Sequence, residues 1–236
     1  MTVRTVFVAG ATGAIGRRLA PLLAAGGWRV AGSTRFSDKT QLLEGLGAEP
    51  FVVDVYDADA LSAALLSVRP EVVVHQLTDL PAGLDPAKMA EARVRNTRIR
   101  EEGTRNLVAA ALACGARRFV AQSLAFAYAE GPLPHTEADP LDPGALGVLS
   151  LEGQVMDAPL EGVILRYGRL YGPGTGLEAP AGPAPIHVDS AAKACALAVF
   201  GEARGVFNIA EEDGAVSSEK ARQAFPGWSA DWRVRP

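Results

Sequence analysis

Of 236 residues only two are cysteine and three histidine, and aromatic side chains make up 6% of the chain. A single cysteine pair excludes a disulfide-stapled scaffold. Cys114 and Cys195 both fall in Ala-rich helical patterns (109–116 and 191–199), where a small buried hydrophobe is the expected role. Neither has a second Cys or His at ligand spacing, so no metal site is expected. Long runs of one charge are also missing. Lys plus Arg number 23 against 27 Asp plus Glu, for a net charge of −4, which argues against a nucleic-acid or membrane-surface partner. No apolar stretch is long enough to cross a bilayer, and Met1-Thr2-Val3-Arg4 leads into an apolar strand pattern without the layout of a signal peptide. These absences lead us to expect a cytoplasmic protein, monomeric or homodimeric, whose partner is a small-molecule substrate.

What the chain does contain is alternation. Apolar, β-prone runs at 5–9, 29–34, 50–53, 72–76, 118–122, 162–166 and 205–209 are separated by helical patterns. Continuous apolar strands spaced by helices predict an α/β, doubly wound parallel sheet of about seven strands, Rossmann-type, covered on both faces. The length suits a single domain over 1–236. Pro and Gly cluster at 130–147 and 172–185, where the periodicity breaks down. Such loops are expected to wall the ligand crevice, with a small substrate lobe drawn from 125–160, 168–190 and 210–236.

The first strand runs straight into Gly10-Ala11-Thr12-Gly13-Ala14-Ile15-Gly16, which opens a helix. Glycines there let backbone N–H groups and the positive helix end approach a pyrophosphate that a β-carbon would obstruct. Further along stand Gly103-Thr104-Arg105-Asn106-Leu107, Arg118-Phe119-Val120-Ala121-Gln122-Ser123, Leu165-Arg166-Tyr167-Gly168-Arg169-Leu170-Tyr171-Gly172-Pro173-Gly174 and Ile186-His187-Val188-Asp189. In order and spacing these resemble the motifs of extended and atypical short-chain dehydrogenase/reductases, the epimerase/dehydratase-like branch, over nearly the whole chain.

That resemblance implies a nicotinamide dinucleotide. Where a relative that prefers NAD would present an acid to the adenosine ribose, this chain has Thr34 followed by Arg35, with Lys39 close by. A guanidinium can clasp a 2′-phosphate, so NADP is expected over NAD; alternatively Arg35 and Lys39 are solvated loop residues. Asp54-Val55 matches the pair that meets adenine, although an Asp at a strand end is also an ordinary helix cap. By the same analogy Gln76-Leu77-Thr78 run beneath the nicotinamide-side ribose, Gln122 closes the fifth strand beside it, and Tyr167-Gly168 flank the nicotinamide. His75 lies within an apolar strand, where a core role is favoured over that of a base.

The catalytic end departs from the family pattern. The family uses a serine, a tyrosine and a lysine four residues later, because the proton donor needs a pKa drawn toward neutrality. Ser123 matches the serine. In the helical region 144–156 no register supplies Tyr-x-x-x-Lys; the best alignment places Val148 and Glu152 there. Arg100 stands where the family has an asparagine, with Asn96 one turn earlier. Tyr128 or His135 could replace the donor or be a loop aromatic and a solvated imidazole. Arg169 could hold an anionic or carbonyl-bearing substrate or make a structural salt bridge. The short tether 175–185 replaces a longer insert of the relatives and disfavours a sugar-nucleotide pocket. The expected activity is a redox or epimerase/dehydratase-like step on a small carbonyl or hydroxyl compound, with Ser123, Tyr128 and Arg169 as catalytic candidates. A redox-silent NADP-binding sensor or interaction protein is the alternative.

Overall fold

A computed structural model describes residues 3–233. Strand β1 (Thr5–Ala9) is buried along its whole length, and its side chains alternate between two cores as a strand in a covered sheet must. Val6 and Val8 point to one face, and Phe7 and Ala9 to the other. Around it lie β2 (Arg29–Thr34), β3 (Ala48–Val52), β4 (Val72–His75), β5 (Arg118–Leu124), β6 (Glu161–Tyr167) and β9 (Gly205–Ile209), in the order β3-β2-β1-β4-β5-β6-β9. Every pairing is parallel. The seven-strand, doubly wound sheet expected from the apolar runs is therefore present.

Helices α1 (Gly16–Ala25) and α7 (Val188–Phe200) cover one face, and α3 (Ala58–Val68), α5 (Thr104–Ala113) and α6 (Leu146–Asp157) the other. The inward side of α7 is made of small side chains, five alanines with Cys195, Ser190, Val188 and Val199, which keeps the helix close to the sheet and to α1. Arg118 is fully buried and donates from Nε to the Ala198 carbonyl at the end of α7 (2.9 Å), tying β5 to that layer. Helix α2 (Thr40–Gly45) leads into β3, and α8 (Glu219–Ala224) packs on β9.

Three features add to this frame. A short parallel pair, β7 (Arg169–Tyr171) with β8 (Pro185–His187), stands apart from the main sheet. Much of the stretch after residue 145, grouped with the lobe in the sequence, forms α6, whose Leu151 and Val155 pack on the main sheet. Finally, α4 (Met89–Arg98) passes into α5 through a π-helical segment, Ile99–Gly103. The small cluster of Ala125, Ala184, Ala210 and Val216 forms a separate core beside Tyr128.

The strand order reverses between β1 and β4, since the chain winds outward through β2 and β3 before returning to β4. Ligand crevices in such sheets open at the carboxyl ends of the two strands where the order reverses. Here that place is Gly10 and Gln76. A cleft of about 1510 Å³ opens there and runs along the strand ends to Ser123 and Arg169.

Candidate active site

The glycines of the first turn have different duties. Gly10 adopts φ +86°, a left-handed conformation, and a β-carbon on it would sit 2.7 Å from the Gln76 carbonyl oxygen. A β-carbon on Gly16 would strike the backbone of Gly10 and Ala11. These two allow β1, α1 and β4 to meet. Gly13 is exposed, and its only close neighbour would be the Gly10 carbonyl at 3.2 Å. The backbone N–H groups of Thr12, Ala14 and Ile15 find no acceptor among the described residues. Unpaired donors at a helix start, facing a cleft, fit the pyrophosphate of a dinucleotide.

At the adenosine end, Thr34 is buried and its Oγ1 accepts from the Phe36 N–H (3.2 Å). Arg35 and Lys39 both lie over the Phe36 ring, at 4.9 and 4.7 Å. Arg35 also approaches Asp79 Oδ2 at 3.4 Å, and Arg95 reaches the same carboxylate at 3.3 Å. Asp79, which arrives from the loop after β4, carried no signal of this role in the sequence. Asp54 Oδ1 accepts from the Tyr56 N–H (3.0 Å), and both Asp54 and Val55 line the cleft.

His75 is fully buried between its neighbours: Nδ1 accepts from the Leu77 N–H (3.2 Å) and Nε2 faces Thr104 Oγ1 (3.1 Å). Burial, with a smaller contribution from the Arg100 charge, pushes its pKa down to about 3. It is a neutral core imidazole. Gln76, Leu77 and Thr78 form the cleft floor, where Gln122 Nε2 donates to the Leu77 carbonyl (2.7 Å). Gln76 Nε2 approaches Tyr167 Oη (3.3 Å) and Cys195 Sγ (3.4 Å). Burial raises the pKa of both partners, the thiol to about 12. Gly168 also lines the cleft, and a β-carbon there would collide with the Ala184 carbonyl.

Val148 and Glu152, which the sequence alignment sets at the tyrosine and lysine positions, are both buried on α6. Val148 is 3% exposed. Glu152 accepts from Ser123 Oγ (2.6 Å) and from Arg166 Nε and Nη2 (2.9 and 2.7 Å). Ser123 and Arg166 are directly paired across β5 and β6, and Glu152 comes down onto them from α6. Burial opposes the Arg166 cation, but the Glu152 hydrogen bonds and charge outweigh it and hold the pKa above the usual value. The chain continues outward. Arg166 Nη1 donates to Tyr128 Oη (2.9 Å), which donates to Asn208 Oδ1 (2.6 Å), and burial raises the phenol pKa. His135 stacks on Tyr128 at 4.8 Å. Ser123 lines the cleft; Tyr128 and His135 lie behind it. Arg169 lines the cleft with its guanidinium over the Phe126 ring at 4.4 Å, and it makes no salt bridge among the described residues.

Sheet order and glycine cradle together define a Rossmann-type dinucleotide-binding protein. The chain belongs to the NAD dependent epimerase/dehydratase family, whose model matches residues 6–206. It is therefore an oxidoreductase- or epimerase-like member of the short-chain dehydrogenase/reductase superfamily. It is 40% identical to a Streptomyces protein named 3-diazoavenalumate denitrifying reductase, over 91% of this chain and 78% of that one. Among solved structures, UDP-glucose 4-epimerase of Thermotoga maritima with UDP-glucose superposes with a TM-score of 0.73 at 20% identity, covering 92% of this chain and 80% of that one. The Thermus thermophilus UDP-glucose 4-epimerase complex with NAD gives 0.67 at 25% identity, covering 94% and 81%. No helix among the described residues is long and apolar enough to cross a membrane.

Two outcomes follow from this geometry. Gly13→Val is expected to keep a normal circular dichroism spectrum while losing dinucleotide binding in calorimetric titration, whereas Gly16→Val, forced against backbone, is expected to lose about 3 kcal/mol or more of stability. Glu152→Leu leaves Arg166 buried without a counter-charge and should cost about 3–5 kcal/mol in denaturant unfolding; Glu152→Gln, which keeps an acceptor, should cost clearly less.

Proposed function

We propose that the chain is a reductase that prefers NADP and transfers hydride to a small acceptor needing no proton from the enzyme. The observation that carries this reading is the state of α6: Glu152, which with Val148 aligns in sequence to the positions of the family's proton relay, is engaged by three hydrogen bonds. When bound, the reduced nicotinamide supplies a hydride. Thr12, Ala14 and Ile15 would hold the pyrophosphate through their free N–H groups, with Arg35 and Lys39 toward the 2′-phosphate and Asp54 toward adenine. Gln76, Leu77, Thr78, Gln122, Tyr167 and Gly168 would form the nicotinamide side. Ser123, through the hydroxyl lone pairs left after its bond to Glu152, orients the acceptor, and Arg169 faces it from the opposite wall.

Carbonyl reduction needs a proton on the developing alkoxide, and among the described residues the two tyrosines lining the cleft, Tyr56 and Tyr167, have their pKa raised by burial, away from neutrality. Reductive removal of nitrogen has a different balance. When hydride adds to a carbon bearing a diazonium group, a C–H bond forms and the C–N bond breaks with its electron pair leaving on N2, so no proton is consumed. The name of the Streptomyces relative, a denitrifying reductase of a diazo compound, supports an acceptor of this class.

The test uses benzenediazonium and NADPH deuterated at C4. Protein-dependent deuterium in the product, at least about 100-fold faster than without protein, is expected. The rate should be flat between about pH 5 and 9, because a His75 held neutral down to about pH 3 does not titrate there. No protein-dependent NADPH oxidation with diazonium or carbonyl acceptors would leave the cofactor-binding sensor as the better reading.

Cofactor choice has its own measurement. Arg35 shares the Asp79 carboxylate with Arg95, which also approaches Glu91 at 3.7 Å, and Lys39 lies beside Arg35 over the Phe36 ring with no salt bridge among the described residues. NADP is expected to bind about 10-fold tighter than NAD, with Arg35→Ala removing most of the difference. Equal affinities in the unaltered protein would overturn this preference.

A further inference from the structure

Arg100 is a cation without a counter-charge. Its guanidinium makes no hydrogen bond and no salt bridge among the described residues, and it lines the same cleft as Thr97, Gly147 and Val148. Burial alone shifts its pKa, downward, with no carboxylate close enough to offset it. Most arginines of this chain that approach the interior are answered: Arg118 by carbonyls and Glu161, and Arg166 by Glu152. A half-buried guanidinium left unanswered is costly unless something that arrives later pairs with it.

The backbone places Arg100 there by a specific device. It is the second residue of the π-helical segment Ile99–Gly103, which joins two helices in a single run. A π-turn inserts a residue and turns the following side chains relative to an uninterrupted α-helix, and such turns recur at functional sites. Wider hydrogen bonding loosens local carbonyls, and α6 supplies the compensation: Gln154 Nε2 donates to the carbonyls of Arg100 (3.4 Å) and Glu101 (3.2 Å). The π-turn is thus held from outside by the helix that lacks the tyrosine and lysine. Asn96, one turn earlier, also lines the cleft, with its side chain hydrogen-bonded to backbone. Its amide clamps the Asp79 backbone from both sides, accepting from N–H and donating to C=O at 3.1 Å each.

We propose that Arg100 is the anchor for a carboxylate on the substrate, so that this enzyme acts on an organic acid. The planar fork of guanidinium donors matches a carboxylate through two parallel hydrogen bonds. Among acids lining the cleft, Asp54 lies at the adenosine end and Asp79 is shared by Arg35 and Arg95, while Asp142 is engaged with the Gly144 N–H (2.7 Å). Arg93 and Arg169 add cationic walls with no carboxylate between them and Arg100 in the hydrogen-bond network. This assignment deepens the proposed reductase and rests on it for the identity of the ligand as substrate.

The experiment titrates the protein, saturated with NADP, with benzoate, phenylacetate and 3-phenylpropanoate and with the corresponding neutral amides. At least one carboxylate should bind about 10-fold or more tightly than its amide. Arg100→Met should abolish that preference without changing amide binding or NADP affinity, and Arg100→Lys should restore part of it. Equal binding of acids and amides, or no binding of any acid, overturns the proposal. So does a loss of NADP affinity in Arg100→Met, which would make the residue a cofactor contact. If Arg100→Met does not fold, the acid-to-amide ratio of the unaltered protein and of Arg100→Lys still decides. Carboxylate binding on Arg100 without hydride transfer would retire the reductase reading but leave this anion site standing. Turnover of diazonium compounds without any preference for acids would do the reverse.

Discussion

The close passage of the β1–α1 turn over the start of the β4 exit loop is the constraint on which the site depends. Gly10 and Gly16 have no room for a β-carbon because the backbones of Gln76 and of the turn itself occupy that space. Once the three segments are pressed together, the N–H groups of Thr12, Ala14 and Ile15 face outward with no protein acceptor, and a crevice opens where the sheet order reverses. Gly13 takes no part in that packing, so its lack of a side chain matters to what binds rather than to what folds.

A second interaction shapes the catalytic end. In Glu152 and Arg166 the fold has a buried ion pair with Ser123 and Tyr128 hydrogen-bonded at its two edges. Such a pair is stable only with both members present, and it holds α6 against β5 and β6. Ser123, Glu152, Arg166, Tyr128 and Asn208 thereby form one connected hydrogen-bond network. Arg100 and Arg169, which also line the cleft, make no salt bridge among the described residues.

Seven strands, their parallel order and the cradle residues were legible in the sequence because each rests on local rules: continuous apolar runs, helix starts and glycines where no side chain fits. Strands β1, β2 and β9 begin and end where the apolar runs do. The missing tyrosine and lysine were also visible, as an absence at a spacing. Arg166 could have been suspected of needing a partner, since a charged residue inside a buried strand must find one, as could Glu152 on the buried side of an otherwise apolar helix.

What the sequence could not contain was which of these charges would meet. Ser123, Tyr128, Glu152, Arg166 and Asn208 come from β5, the loop after it, α6, β6 and β9, and only the parallel register of the sheet and the seating of α6 join them. The same holds for Asp79 beside Arg35 and for the π-turn that aims Arg100 into the cleft. By itself the sequence determined the covered parallel sheet and the glycine turn between β1 and α1, because backbone propensity and steric room are local. Tertiary structure alone decided which charges are paired and which is left facing the ligand, because electrostatic partners are chosen by distance in space.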